Sequence, residues 1–116
     1  MTNEPLSERD FDEHADRTLR ALEQALSEID GLEVDLESGI LTLEFDEGAK
    51  YVVNSHRAAR QIWMAAELRA WHFDYLPAEK RWVAAKSGDE LWATVEAVVS
   101  RKTGAAIQLT TPDPAA

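Results

Sequence analysis

Carboxylates dominate the chemistry this sequence can offer. Fifteen of its 22 acidic residues fall in the first 47 positions, where only Arg9, Arg17 and Arg20 oppose them. An overall charge of −10 therefore belongs almost wholly to one end of the chain. At about 100° per residue, Asp12, Asp16, Glu23 and Asp30 gather along one edge of an apolar stripe that begins at Phe11. Glu33, Asp35 and Glu37 then alternate with Leu32, Val34 and Leu36, and they point outward from the strand that follows. Carboxylate oxygens are hard donors suited to iron, manganese, calcium or magnesium. No EF-hand spacing or Glu-x-x-His pair is present, so the pattern describes a weak, multi-site cation surface. It describes equally a solvated helix face beside a charged edge strand that discourages aggregation. On either reading the field attracts cations and basic protein surfaces, and repels nucleic acid and anionic membranes.

Tryptophan supplies the second constellation. Trp71, Trp82 and Trp92 share the parity of apolar neighbours and read as core. Trp63 differs: with Ile62 and Met64 inward it points out, beside Gln61 and near the outward Thr42, Asn54, His72 and Asp74. Such a face has the composition of a recognition surface. The alternative places Trp63 under the segment 55–60 or against His72. His14, His56 and His72 have no spacing that makes a metal triad or catalytic pair; they read as helix-face, loop and strand-surface residues. Cysteine is absent, which excludes a thiolate nucleophile, a persulfide carrier and Cys-ligated zinc or iron–sulfur sites. Walker A, G-x-G-x-x-G, G-x-S-x-G and HExxH patterns are missing too. Arg57 and Arg60 are too few for a nucleic-acid footprint.

The elements that must position these residues follow from period and punctuation. Ser7 and Asp10 form an S-x-x-D cap before Phe11, Ala15, Leu19, Leu22, Leu26 and Ile29, predicting a helix from Glu8 to Ile29. The period then shifts to two over Leu32–Glu37, Ile40–Phe45 and Lys50–Asn54, with turns at Ser38-Gly39 and Asp46-Glu47-Gly48. After a loop at 55–60 come strands at Gln61–Ala65, Trp71–Tyr75 and Arg81–Ala84; the link Glu67-Leu68-Arg69 lacks a strong turn residue. Ser87-Gly88-Asp89-Glu90 reads as the start of a last helix, and Ile107 and Leu109 as packing back on the core. Helix, run of strands, helix predicts an α+β two-layer sandwich, an antiparallel sheet with both terminal helices on one face. At 116 residues one domain is expected, over residues 1–110, with a disordered tail at 111–116. The polar, acidic N-terminus argues against a secretory or transit signal, and no apolar run approaches the ~18–20 residues of a membrane span. The expectation is a cytoplasmic protein.

Tyr51-Val52-Val53-Asn54 followed by Gln61-Ile62-Trp63 resembles the signature of the frataxin family: an asparagine-ended strand, a short loop, then Q-[IV]-W. Ile40-Leu41-Thr42-Leu43 resembles the family's second strand and Trp71-His72-Phe73-Asp74 its fifth. Lys86-Ser87-Gly88-Asp89-Glu90-Leu91-Trp92 resembles the start of the last helix in bacterial, CyaY-type members. The likeness runs in order from Phe11 to Leu109.

The resemblance implies an accessory protein of iron–sulfur cluster assembly rather than an enzyme. It implies weak binding of ferrous and ferric iron, and docking on a cysteine desulfurase–scaffold complex whose rate it modulates. Position by position, it assigns iron contacts to Glu23, Glu28, Asp30, Glu33 and Asp35, and partner contacts to Asn54, Gln61, Trp63 and His72. It implies a monomer, with an iron-dependent oligomer as the alternative. Ferroxidase or iron-storage activity and a metal-independent acidic adaptor are the competing functions; scattered outward carboxylates supply no preorganised oxidation centre. The chain departs from the family at Arg20, Gln24 and Ser27, which stand where acids are frequent and thin the ridge. His56 and Ala58 replace a frequent glutamine and proline, and Leu68-Arg69-Ala70 replaces a glycine-rich turn.

Overall fold

Ser7 opens the first helix, its hydroxyl accepting the Asp10 backbone N–H at 3.1 Å, which is half of the predicted capping box. The computed structural model describes residues 6–109; the tail expected at 111–116 lies outside the described residues. Helix α1 spans Glu8–Leu26 and buries Phe11, Ala15, Leu19, Leu22 and Leu26. It stops short of Ile29, with Ser27 as its C-cap. The Ser27 N–H and Oγ–H bond the Glu23 carbonyl at 2.9 and 2.6 Å. Asp30 is therefore off the helix, in the link to the sheet, and not in line with Asp12, Asp16 and Glu23.

Six strands follow in one antiparallel meander whose spatial order is their chain order: β1 (Leu32–Glu37), β2 (Ile40–Phe45), β3 (Lys50–His56), β4 (Gln61–Ala66), β5 (Arg69–Leu76) and β6 (Arg81–Ala84). Helix α2 (Leu91–Thr103) closes the described fold. The turn Ser38-Gly39 has both φ values positive, 51° and 77°, the signature of a tight two-residue hairpin. The φ of 77° favours glycine at position 39, and a Cβ there would sit 2.5 Å from the Ser55 hydroxyl, which would have to rotate away.

The segment expected as a loop at 55–60 is only partly one. β3 runs on through His56, and Arg57–Ala59 form a single 3-10 turn pinned to α1 by two Arg57–Asp12 hydrogen bonds of 3.1 and 2.8 Å. The Glu67-Leu68 link is a two-residue hairpin with φ of 54° and 60°, although neither residue favours that region. Glu90, not Ser87, caps α2: its carboxylate accepts the Trp92 and Ala93 N–H groups at 2.9 and 3.0 Å. Ser87 instead steadies the approach by accepting the Asp89 N–H.

One continuous core joins the apolar stripes of both helices to alternate residues of the strands, including Leu41, Leu43, Val53, Ile62, Met64 and Phe73. Both helices thus cover the same sheet face, and the other face is left to solvent. Trp71, Trp82 and Trp92 are buried as predicted. The Trp71 and Trp82 indole N–H groups donate to Asp89 and Thr18, each at 3.0 Å. Ile107 and Leu109 pack against the core, tied by the Ile107 N–H to Ser100 Oγ at 3.0 Å and the Leu109 N–H to Glu96 at 2.8 Å.

Candidate functional site

Strand alternation delivers the open sheet face in rows. With Ile62 and Met64 buried, Gln61 and Trp63 point outward from β4. Backbone register then aligns Asn54, Trp63 and His72 directly across β3, β4 and β5. Ile40 pairs with Asn54, and Glu37 with Ile40, so the row continues to the acidic edge strand. A neighbouring row sets His56, Gln61 and Asp74 side by side. All four residues expected at a partner surface are brought together on this one face.

Trp63 is half-buried there and held from three sides. His56 stacks on one face of the indole, with ring centroids 3.8 Å apart and planes 15° apart. His72 stacks on the other at 4.3 Å and 13°. The indole N–H donates to Gln61 Oε1 at 2.8 Å, and Gln61 Nε2 in turn donates to Asp74 Oδ1 at 3.0 Å. His56 is thus a member of the site rather than the loop residue expected. The clue that would have found it is the extension of β3 by two residues, which gives His56 the outward parity of Asn54.

Two groups of acids stand apart. Glu8, Asp12, Glu13, Asp16, Glu47, Glu67 and Glu79 each pair with an arginine or lysine. Asp12 and Asp16, counted from the sequence as part of the ridge, are held by Arg57 and Arg20. Glu23, Glu28, Asp30, Glu33 and Asp35 have no ion-pair partner among the described residues. Glu28, Asp30, Glu33 and Asp35 are exposed and Glu23 is half-buried near the end of α1. No basic residue occupies the last turn of α1, so the acids there face the negative end of the helix dipole unrelieved.

Glu44 is a ridge residue that sequence reasoning missed. The Ser38-Gly39 turn fixes a register in which Glu33 lies directly opposite Glu44, a like-charge pair that destabilises the strands. The turn alone sets that register, so the opposition was legible. Glu33, Asp35 and Glu44, with Ser27, Leu32, Val34 and Thr42, line a shallow hollow of about 470 Å³. Glu23, Glu28 and Asp30 lie outside that lining. Among the described residues no three carboxylates or imidazoles converge as a chelating cluster. The arrangement suits diffuse attraction of cations and of a basic surface, with fixed recognition on the adjoining face.

No described helix is long and apolar enough to cross a membrane. Comparison with known proteins gives a consistent picture. The description "Frataxin-like domain" matches residues 4–105. The iron–sulfur cluster assembly protein CyaY of Thioalkalivibrio sulfidiphilus is 38% identical over 102 residues, covering 85% of this chain and 95% of that protein. That of Ectopseudomonas mendocina is 35% identical over 105 residues, covering 89% and 94%. The frataxin of Psychromonas ingrahamii shares the fold with a TM-score of 0.83 at 24% identity, covering 91% of this chain and all of that one. Trimeric frataxin of Saccharomyces cerevisiae in a ferrous complex matches with a TM-score of 0.61 at 31% identity, covering 86% and 88%.

Proposed function

The chain belongs to the frataxin family, and from that premise we propose that it serves iron–sulfur cluster assembly as a non-enzymatic, iron-binding regulator in the cytoplasm. The observation that carries this reading is the segregation of the acids. Glu8, Asp12, Glu13 and Asp16 in the first half of α1 are paired, whereas Glu28, Asp30, Glu33 and Asp35 have no counter-charge among the described residues and border the Trp63 face. Uncompensated charge costs stability, and its concentration at one margin is explained by a ligand that supplies the missing positive charge. Iron is that ligand in small amount, held weakly through Glu23, Glu28, Asp30, Glu33 and Asp35. A basic patch on a cysteine desulfurase is the larger one. Asn54, Gln61, Trp63 and His72 then meet the scaffold protein. The iron role is supported by the ferrous complex of the yeast relative, and the pathway by the names of the bacterial ones.

Charge steering makes the association salt-sensitive. The test is a cluster-assembly assay with desulfurase and scaffold, run with this protein and with a Glu28→Lys/Asp30→Lys/Glu33→Lys variant at two ionic strengths. The expected result is a rate change that the variant loses and that raised salt diminishes. An effect indifferent to both would overturn the reading.

A further inference from the structure

His56 sits in a place that its nitrogens do not explain. Its Nδ1 is buried and has no hydrogen-bond partner among the described residues. Burying a polar atom unpaired is unfavourable, so the imidazole is retained there for something other than a hydrogen bond at that nitrogen. What it does have is a ring face 3.8 Å from the Trp63 indole and nearly parallel to it. Its backbone is steadied from below, because the 3-10 turn that follows is fastened to α1 through Arg57 and Asp12.

We propose that His56 is a positioning residue of the docking face, its ring fixing Trp63 in one orientation and covering one face so that a partner meets the indole by its edge. This rests on reading the open sheet face as the docking surface. The opposite indole face is taken by His72, and the indole N–H is committed to Gln61. Neither a partner's aromatic ring nor an arginine can therefore stack on Trp63, and its hydrogen bond is not on offer. The remaining carbon edge suits an aliphatic side chain of the partner. Holding the indole in advance also removes the cost of ordering it on binding.

The experiment compares His56→Ala, His56→Phe, His56→Gln and Trp63→Ala for affinity to the desulfurase–scaffold complex. Alongside it, the Trp63 indole N–H resonance is followed in ¹⁵N-edited NMR of the free proteins. His56→Ala is expected to weaken binding about tenfold, the scale that an aromatic pair supports. It should also broaden the Trp63 resonance, while the protein stays folded by circular dichroism. His56→Phe restores both, and His56→Gln restores neither. Rescue by Gln but not Phe would overturn the proposal, since a nitrogen rather than a ring face would then be the working part. So would full affinity in His56→Ala when Trp63→Ala has lost it, an outcome that leaves the docking reading intact. Full affinity in Trp63→Ala removes the docking reading and this inference together.

Discussion

The Glu67 carboxylate and the Arg101 guanidinium meet through two hydrogen bonds of 2.7 Å each, tying the tip of the β4–β5 hairpin to α2. The pairing lowers the Glu67 pKa, chiefly through the hydrogen bonds from Arg101. It also fastens a turn whose own residues resist it. Glu67 and Leu68 both adopt positive φ, a region that side chains with a Cβ enter at a cost.

Leu68 makes that cost measurable, because its side chain is fully exposed and has no packing to lose. Leu68→Gly is expected to raise stability by about 1 kcal/mol, or about 4 °C in thermal midpoint. Leu68→Val, β-branched and worse at positive φ, should lower the midpoint instead. Thermal unfolding followed by circular dichroism decides it, and equal midpoints for the three proteins would show that the turn is unstrained.

The same hairpin shows where the sequence stops being legible. Periodicity located every strand and both helices, because an alternating or 3.6-residue apolar pattern is the direct imprint of a one-faced core. The capping at Ser7 and the turn at Ser38-Gly39 were readable from residue type. Glu67-Leu68 was located only as the gap between two apolar runs: neither residue favours positive φ, and its tie to Arg101 lies outside any short window. His56 escaped for a related reason, since its role depends on a strand end set by the Arg57–Asp12 contact 45 residues apart. The outward set Asn54, Gln61, Trp63 and His72 was recoverable from parity. Which acids are paired depends on side-chain reach across elements, which spacing does not encode.

Glu33 and Glu44 give a handle on the cation surface. Glu44→Gln removes the like-charge opposition and is expected to stabilise the metal-free protein at low salt by about 0.5 kcal/mol. Added Fe(II) or Mn(II) should raise the wild-type midpoint by binding the folded state, and raise that of Glu44→Gln less. Differential scanning fluorimetry under anaerobic conditions, with and without metal, reads both effects. A metal response that is the same size in the two proteins would place binding away from this strand pair.

His14 introduces a pH dependence in the opposite half of α1. Its ring stacks on Tyr75 at 4.3 Å, and burial, aided by the charge of Arg17, lowers its pKa below the ordinary 6.5. The unfolded chain therefore binds the proton more readily than the folded one. The contribution of neutral His14 is complete above pH 6.5 and is lost as pH falls from there through the depressed value. His14→Phe keeps a ring against Tyr75 and cannot titrate. Its thermal midpoint should fall less than the wild type's between pH 7 and pH 5, and parallel profiles would refute the assignment.

Ile40 tests whether the acidic margin and the Trp63 face act as one surface. It is 47% exposed, points outward, and lies in register between Glu37 on one side and Asn54 on the other. An exposed β-branched residue between an acid and an amide contributes little to the core, so its replacement should be tolerated by the fold. Ile40→Ser is expected to move the thermal midpoint by no more than about 3 °C. If docking spans the row from Glu37 to His72, the same change removes apolar contact at its centre and weakens binding to the desulfurase–scaffold complex about tenfold. Ile40→Val, which keeps the branch and most of the surface, should lie near wild type. Calorimetric titration of the three proteins separates the cases. Undiminished affinity in Ile40→Ser, with loss in both Trp63→Ala and the ridge reversal, would mean that two separate contacts flank a gap at β2.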